Sequence, residues 1–359
     1  MQLKKNILFV VPYPLGKAPS QRFRFEQYFD ILKEAGFSYQ VASFLDDATW
    51  EILYKPGHTF KKITGTIKGF GHRFLLLFRA SKFDLIFIHR EATPVGPPWV
   101  EWILARILKK KIIYDFDDAI WIPSTSANNK LVAGLRWSQK VGQICRWATK
   151  VSCGNSYLQA YAGKFNSHAI VNPTTIDTIN HHNKLKVQNT SKVVIGWTGT
   201  HSTLKYLEMI LPVLQNLEEK YAFEFLVISN KPPEFDLRSL VYKPWQKETE
   251  IEDLLKFNVG LMPLEDDPWA KGKCAFKALQ YMSLGIPPVV SPIGMNVEVV
   301  ENGNNGYVCS SPEEWYYHLE QLIVDSVLRA KLGTAAKEKV DKCYAVVANR
   351  TNFLGLFTK

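Results

Sequence analysis

The stretch DDPWAKGKCAFKALQYMSLGIPPVVSPIG, residues 266–294, connects a helix to a buried strand and decides the fold class. Apolar residues recur at helical spacing through residues 273–284, which predicts an amphipathic helix that ends at Gly285. The continuous apolar run at 288–291 follows at once and predicts a strand covered on both faces. A helix that leads directly into such a strand is typical of parallel α/β sheets.

The same alternation of short apolar runs and amphipathic stretches extends outward over almost the whole chain. The other helical patterns include residues 21–35 and 203–221. The apolar runs predict eleven strands, at 7–11, 39–44, 83–89, 111–114, 150–152, 169–171, 193–196, 223–229, 259–262, 288–291 and 306–308. Strand, helix and strand repeated in this order indicate doubly wound α/β sheets.

The chain is long enough for two hydrophobic cores, since 359 residues with 46% hydrophobic content exceed the usual size of one domain. The polar, aperiodic stretch IDTINHHNKLKVQNTSK, residues 176–192, interrupts the pattern, which then restarts. We therefore predict two Rossmann-like domains, 1–180 and 181–340, facing across a cleft. A helical segment at 341–359 is predicted to return to the first domain. Ligands of such sheets bind beyond the carboxyl ends of the strands.

Charge and cysteine content limit the classes of partner and compartment. With 44 Lys and Arg against 34 Asp and Glu, the net charge of +10 favours phosphorylated ligands, acidic membranes or nucleic acid. The basic residues form no recognised nucleic-acid-binding module, so nucleic acid is not expected. Five scattered cysteines without a CxxC pair argue against zinc and disulfides and favour the cytoplasm. No apolar run has the length of a signal peptide core or a membrane span.

The lysines before the 273–284 helix predict an anion-binding site. Lys271, Gly272 and Lys273 combine two cations with a flexible backbone, and Lys277 lies one turn further on the same face as Lys273. Unpaired N–H groups at a helix N-terminus attract phosphate, and nearby lysines strengthen that attraction. A solvated basic helix start is the alternative interpretation.

Four segments of the second half resemble the donor domain of family-4 GT-B glycosyltransferases. Residues 266–294 resemble the family's donor-binding signature, and GWTGTHSTLKYL (196–207) resembles its first strand, loop and helix. VGLMPLEDDPW (259–269) resembles the strand that leads into the donor site. NVEVVENGNNGYV (296–308) resembles the glutamate-to-glycine strand entry that follows.

Segments of the first half are similar to the same family, so the resemblance covers nearly the whole chain. PYPLGKAPSQRFR (12–24) matches the loop after the first strand, which faces the acceptor. IIYDFDDAIW (112–121) resembles an acidic motif of one branch. CGNSYLQAYAGKF (153–165) and IVNPTTID (170–177) resemble the linker region.

The resemblance implies a metal-independent transferase with retention at the anomeric carbon. A nucleotide diphosphate sugar would be the donor substrate, no further cofactor is expected, and the acceptor would be a saccharide or a lipid-linked saccharide. The catalytic candidates are His89, Asp117 and Asp118, and the acceptor-side candidates are Gly16, Arg22 and Arg24. The donor-binding candidates are Gly199, Thr200, Lys205, Lys273, Cys274, Lys277, Gln280 and Glu298.

The sequence departs from the family pattern at two donor-site positions. Many members carry two glutamates eight positions apart, where this chain has Gly272 and Gln280. A glutamine amide still forms hydrogen bonds with a ribose hydroxyl, but it carries no charge.

The acidic motif allows three interpretations. Three carboxylates lie within four residues at a predicted strand end: Asp115, Asp117 and Asp118. In the first interpretation they contact the acceptor, in the second they cap neighbouring loops, and in the third they bind a metal. His89 follows another strand and is either a catalytic or a packing residue.

A basic stretch, residues 54–82, predicts contact with an anionic bilayer on the inner face of the plasma membrane. It contains no Asp or Glu, and apolar side chains separate its seven cations, Lys55, Lys61, Lys62, Lys68, Arg73, Arg79 and Lys82. A surface helix packed on the sheet is the alternative.

These observations predict a glycosyltransferase of cell-surface polysaccharide, lipopolysaccharide or glycolipid synthesis. A nucleotide-sugar epimerase on the same scaffold and a member that binds without catalysis are the alternatives. PYPLGK is not the glycine-rich turn of a dinucleotide-dependent oxidoreductase.

Overall fold

The computed structural model describes residues 5–53, 55–122 and 137–358, which form two compact units. One unit holds the chain up to Thr174 together with the chain from Arg350 onward, and the other is Thr175–Asn349. Each unit contains one six-stranded sheet. The boundaries differ by several residues from the expected ones at 180 and 340.

The first sheet is entirely parallel and has the order β2-β1-β3-β4-β5-β6. Its strands are β1 (Asn6–Val11), β2 (Ser38–Ser43), β3 (Leu85–His89), β4 (Lys111–Phe116), β5 (Lys150–Cys153) and β6 (Ala169–Val171). The helices of this unit are α1 (Pro19–Arg22), α2 (Phe29–Glu34), α3 (Asp47–Leu53), α4 (Thr59–Arg79), α5 (Trp99–Trp102), α6 (Lys140–Trp147) and α7 (Ser156–Gly163).

The second sheet is also parallel, with the order β12-β11-β10-β7-β8-β9. Its strands are β7 (Val193–Gly199), β8 (Phe223–Ser229), β9 (Leu240–Pro244), β10 (Val259–Met262), β11 (Pro288–Val290) and β12 (Tyr307–Val308). The helices are α8 (Leu211–Lys220), α9 (Glu250–Leu254), α10 (Pro268–Lys271), α11 (Phe276–Ser283), α12 (Asn296–Val299), α13 (Pro312–Val324) and α14 (Ser326–Cys343).

The last helix, α15 (Arg350–Gly355), packs on the first unit. The ring of Phe353 stacks on that of Tyr28 with centroids 4.0 Å apart, and Lys5 Nζ donates to the Phe357 carbonyl at 3.2 Å. Aromatic burial therefore fastens the chain end to the sheet that begins with β1.

All eleven predicted strands are present, and the predicted doubly wound fold class is confirmed. The strand β9 was missed because it lies at the sheet edge and is only partly buried, which leaves no continuous apolar run. The predicted 203–221 helix is a 3₁₀ helix, His201–Ile210, followed by α8. Pro212 lacks an N–H group and favours a new helix start at this point.

The predicted 21–35 helix is also divided, into α1, a 3₁₀ turn at Glu26–Tyr28 and α2. Phe25 leaves the helical conformation, with φ −141° and ψ −29°, and interrupts the hydrogen-bond pattern. In the described part of the chain, no helix combines the length and apolarity needed to cross a membrane.

Helix α4 makes up most of the stretch 54–82 that is predicted to contact a membrane, but one of its cations points into the core. Arg73 is fully buried and donates from Nε to the Ala92 carbonyl at 2.7 Å. Its other nitrogens donate to the carbonyls of Ala42 and Val11 at 3.0 and 2.7 Å. Burial lowers the pKa of this guanidinium to about 10, partly offset by the charge of Glu101. Arg73 thus ties together the ends of three strands, and its predicted membrane contact is wrong.

Candidate functional site

The chain order reverses once in each sheet, between β1 and β3 and between β7 and β10. Loops that leave the carboxyl ends of strands diverge at such a point and form a crevice that binds ligands. In the second unit, the two diverging segments are residues 199–203 and 263–275. Most of the predicted donor-binding residues lie on these segments or on α11, which follows the second.

Lys277 lies against the end of β7. Its Nζ is 5.5 Å from the ring centroid of Trp197, which is almost fully buried beneath it. A Cβ atom at Gly199 would fall 2.5 Å from the Trp197 ring and 2.9 Å from Lys277 Cε. The absence of a side chain at Gly199 therefore makes room for the aliphatic part of Lys277. The structure thus brings Gly199 and Lys277, two predicted donor-site residues, together.

Tyr281 holds α11 in this position. Its hydroxyl accepts from the Thr198 N–H at 3.1 Å and donates to the Leu261 carbonyl at 3.3 Å, which connects β7 and β10 at the reversal point. The ring lies over Gly260, where a Cβ would come within 2.2 Å of it. Tyr281 is not among the residues predicted from the sequence, because its contacts join segments that are distant in the chain.

Helix α11 begins after a strained residue and contains a buried amide. Ala275 precedes the helix with φ 50°, a left-handed conformation that is costly for a residue with a Cβ and concentrates at functional sites. Gln280 is buried, and its Nε2 has no hydrogen-bond partner among the described residues. A buried amide nitrogen without a hydrogen-bond partner is costly. Helix α11 starts three residues later than predicted, at Phe276.

The other lysines are half-exposed around this position. Lys205 Nζ lies 3.8 Å from Glu265 Oε2, which joins the segment after β7 to the segment after β10. Lys273 Nζ is 5.8 Å from the Trp269 ring centroid, and Lys271 pairs with Asp266 at 2.8 Å. These are surface interactions, which contribute little to stability.

The remaining donor-binding candidates have different surroundings. Thr200 is exposed and its Oγ1 is 2.9 Å from Ser202 Oγ, before the 3₁₀ helix that carries Lys205. Cys274 is buried beside Gly272, with its Sγ 3.9 Å from the Gly272 carbonyl. Glu298 is exposed in α12.

In the first unit, a buried ionic network lies at the ends of β3, β4 and β5. Asp115 accepts from Arg24, from His89 Nδ1 at 2.8 Å and from Ser152 Oγ at 2.6 Å. Arg24 also donates to the Asn172 carbonyl. Burial alone would raise the pKa of Asp115, but the Arg24 charge and the His89 hydrogen bond hold it well below its usual range.

The network explains where two candidates lie. Arg24 and His89 are essentially inaccessible to solvent. His89 Nε2 is buried and has no hydrogen-bond partner in the described residues. In this structure the side chains of Arg24 and His89 therefore lie in the core, where both contact the Asp115 carboxylate.

Asp117 and Asp118 remain nearer to the surface. Arg90 donates from Nε and Nη2 to Asp117 Oδ1 at 2.9 and 2.8 Å, so one guanidinium fixes the carboxylate. Asp118 accepts from the Ala119 N–H at 3.1 Å. Arg90 has φ 58° and is itself fixed by Asp115, whose carbonyl accepts from its N–H at 2.7 Å. Among the described residues, no group of acidic, histidine or cysteine side chains has metal-binding geometry.

The loop after β1 is held from inside the protein. Gln21 is buried and exchanges two hydrogen bonds with the backbone of Tyr13, both at 3.0 Å. Gly16 has φ 74°, and its N–H donates to Glu26 Oε2 at 2.8 Å. Arg22 is half-buried with its guanidinium 5.0 Å from the Phe23 ring centroid. Gly16 therefore lies in the loop after β1 and Arg22 at the end of α1, both following the strand that borders the β1–β3 reversal point.

The second unit matches a known family. Residues 192–325 match the family model of group 1 glycosyl transferases, a range that includes every predicted donor-binding residue. No curated protein is a detectable sequence relative of this chain.

Several solved structures have the same fold. Sucrose-phosphate synthase from Thermosynechococcus elongatus aligns with a TM-score of 0.73 at 13% identity, covering 99% of this chain and 98% of that one. HepE of Anabaena, in complex with UDP and glucose, aligns with a TM-score of 0.67 at 14% identity, covering 99% and 100%. The catalytic domain of starch synthase IV from Arabidopsis thaliana, bound to ADP and acarbose, aligns at 0.69 and 11% identity, covering 99% of both chains.

Proposed function

Because the chain carries a group 1 glycosyl transferase domain and has the GT-B fold, we propose that it transfers a sugar from a nucleotide diphosphate sugar to an acceptor hydroxyl. The observation that carries the proposal is the placement of Lys277 against Gly199 at the β7–β10 reversal point, within the segment that matches the family. This is the position where parallel sheets bind nucleotides.

The lysines and the start of α11 would bind the diphosphate. Lys277 lies in the first turn of this eight-residue helix, whose unpaired N–H groups add positive potential. Lys205 would contribute a second charge after leaving its exposed partner Glu265. Lys273 and the backbone of residues 272–275 complete the proposed pyrophosphate contacts. Cations placed where charge develops on a leaving group stabilise the transition state.

Gln280 would bind the nucleotide ribose. Its buried amide nitrogen lacks a partner in the described residues, and a ribose hydroxyl would accept a hydrogen bond from it. The amide carries no charge, in contrast to the glutamate found in many members of the family that the sequence resembles. This neutral contact provides orientation rather than strong electrostatic attraction.

We propose that the acceptor side is the edge of the first sheet where Asp117, Asp118, Gly16 and Arg22 lie. Arg90 fixes the Asp117 carboxylate, and Asp115 beneath it fixes the Arg90 backbone. An oriented carboxylate of this type accepts a hydrogen bond from an acceptor hydroxyl. The acceptor is proposed to be a saccharide or a lipid-linked saccharide of cell-surface polysaccharide, lipopolysaccharide or glycolipid synthesis, with transfer by retention.

A thermal-shift panel tests the donor class. UDP, GDP, ADP and their sugar conjugates are compared with the corresponding monophosphates. We expect the diphosphates of one base to raise the unfolding midpoint most, because a ligand at a hundred times its Kd stabilises the native state by about 2.7 kcal/mol.

The same ligands separate the proposed transferase from its alternatives. The identified donor is incubated with and without saccharide acceptors, and the anomeric configuration of the product is read by NMR. Conversion of the donor sugar without any acceptor would indicate an epimerase. Donor binding without turnover would indicate a non-catalytic member, and no binding to any nucleotide would remove the proposed site.

We expect turnover to survive excess EDTA. In the proposed site, lysines and the α11 N-terminus neutralise the diphosphate, so no divalent ion is needed for that role. Initial rates are measured in matched reactions with EDTA, with EDTA plus excess magnesium, and with neither. A loss of activity on chelation that magnesium restores would contradict the metal-independent reaction and favour the alternative in which the Asp115, Asp117 and Asp118 motif binds a metal.

A further inference from the structure

Helix α4 presents an unpartnered apolar stripe to solvent. Six of its large apolar side chains are between 52% and 79% exposed: Phe60, Ile63, Ile67, Phe74, Leu75 and Phe78. Most follow one another at intervals of three, four or seven residues, which places them along one side of a helix with 3.6 residues per turn. Single exposed apolar residues are common on protein surfaces, but a continuous stripe of six is not and indicates a binding surface.

The inner face of α4 determines which side is outermost. A Cβ at Gly65 would fall 2.2 Å from Thr49 Oγ1, and a Cβ at Gly69 would fall 2.7 Å from the Phe44 ring. Arg73, on the same face, ties the three strand ends described above. These close contacts prevent α4 from rotating to bury its apolar stripe on the sheet.

Cations border the stripe along one edge. Lys61, Lys68 and Arg79 are exposed at intervals of seven and eleven residues, and Lys82 follows in the next turn. Lys68 pairs with Asp46 at 2.8 Å, whereas the stretch 55–82 itself contains no acidic residue. An apolar stripe flanked by basic residues is the arrangement of helices that lie in the interface of an anionic bilayer.

Further exposed apolar residues lie at the end of α5 and in the segment that follows it. Trp102, the last residue of α5, and Ile107 and Leu108 are exposed, and the exposed cations Arg106 and Lys109 flank the last two. Helix α4 contacts α5, and Lys110 Nζ donates to the Ser81 and Phe83 carbonyls just after α4, at 3.1 and 2.7 Å. A second apolar and basic set therefore lies beside the first within the same unit.

We infer that the outer face of α4 binds an anionic lipid bilayer, with the apolar stripe in the headgroup–acyl boundary and Lys61, Arg79 and Lys82 at the lipid phosphates. A bilayer fits better than a protein partner because cations accompany the stripe over its whole length without any intervening acid. The inference does not depend on the reaction that the protein catalyses.

Vesicle co-sedimentation tests the inference. We expect the protein to bind vesicles of equal phosphatidylglycerol and phosphatidylcholine at low salt, to ignore pure phosphatidylcholine, and to dissociate as salt rises. Lys61→Gln/Arg79→Gln/Lys82→Gln is expected to weaken binding about a hundredfold, at roughly fivefold for each cation. Phe74→Ser/Phe78→Ser is expected to weaken it at least tenfold, since both rings leave the boundary.

The matched control is Lys164→Gln/Lys247→Gln/Lys331→Gln, which removes the same charge from exposed positions outside α4. We expect this variant to bind vesicles like the wild type, and all variants to keep the thermal midpoint because only exposed side chains change. Equal weakening by the control would overturn the inference in favour of bulk charge. Absence of wild-type binding at low salt would overturn the inference. A wild-type dimer that Phe74→Ser/Phe78→Ser converts to monomer would overturn it in favour of a protein interface.

Discussion

The variant Lys205→Ala/Lys277→Ala is expected to bind its nucleotide diphosphate about 10²–10⁴-fold more weakly than the wild type. Each charge-assisted phosphate contact contributes about 1.5–3 kcal/mol, and 1.4 kcal/mol corresponds to a factor of ten. Lys277 should account for the larger share, because Trp197 and Gly199 hold its stem at the strand end. Lys205 is exposed and must leave Glu265, so its loss should cost less.

Isothermal titration calorimetry of the two single variants and the double variant measures these contributions. The matched control is Lys192→Ala/Lys220→Ala, because both lysines precede strands and so lie at the amino edge of the same sheet. The control should bind like the wild type. An affinity that is unchanged in Lys277→Ala would remove the diphosphate site from the start of α11.

Asp115→Asn is expected to destabilise the first unit by about 3–5 kcal/mol. The substitution leaves the Arg24 guanidinium buried without its counter-charge, which is the costly way to break a buried ion pair. The native pKa of Asp115 lies below its unfolded value near 4, so its stabilisation is complete above about pH 4. It is lost as the pH falls through the lower native pKa. The difference between wild type and variant should therefore be constant at neutral pH and shrink only in acid.

Chemical denaturation measures the loss in the free energy of unfolding, and native-state hydrogen exchange then shows whether the loss is confined to the first unit. Ser152→Ala, which removes one hydrogen bond from the same carboxylate, should cost only about 1 kcal/mol. Arg24→Met/Asp115→Leu should recover part of the lost stability, because no buried charge then remains unpaired. Equal stability of Asp115→Asn and the wild type would show that the buried pair contributes nothing.

Local sequence patterns predicted the strands well because each buried strand needs a continuous apolar run of its own. They failed at β9, which lies at the sheet edge and is half-exposed, so it does not need a continuous apolar run. They also failed at the helix interruptions near Phe25 and Pro212. The helix interruptions reflect backbone geometry and hydrogen bonds over a few residues, which apolar periodicity does not record.

The proposed donor-site lysines and Gly199 could be named from the sequence because they lie in short motifs, which combine cations with glycine near helix starts or resemble the family's donor domain. Trp197, Tyr281 and Glu265 were missed. Each of them contacts a segment that lies between 20 and 83 residues away in the chain.

The sequence alone determined the parallel α/β class, the strand order along the chain and the family likeness of the donor segment, because burial on both faces and phosphate chemistry constrain neighbouring residues. Only the tertiary structure decided the environment of each charge. Arg24, Arg73 and Asp115 are as charged in the sequence as any surface residue, yet they are buried, whereas Lys61 and Arg79 are exposed. The physical reason is that a buried charge needs partners, and the fold brings those partners from strand ends far apart in the chain.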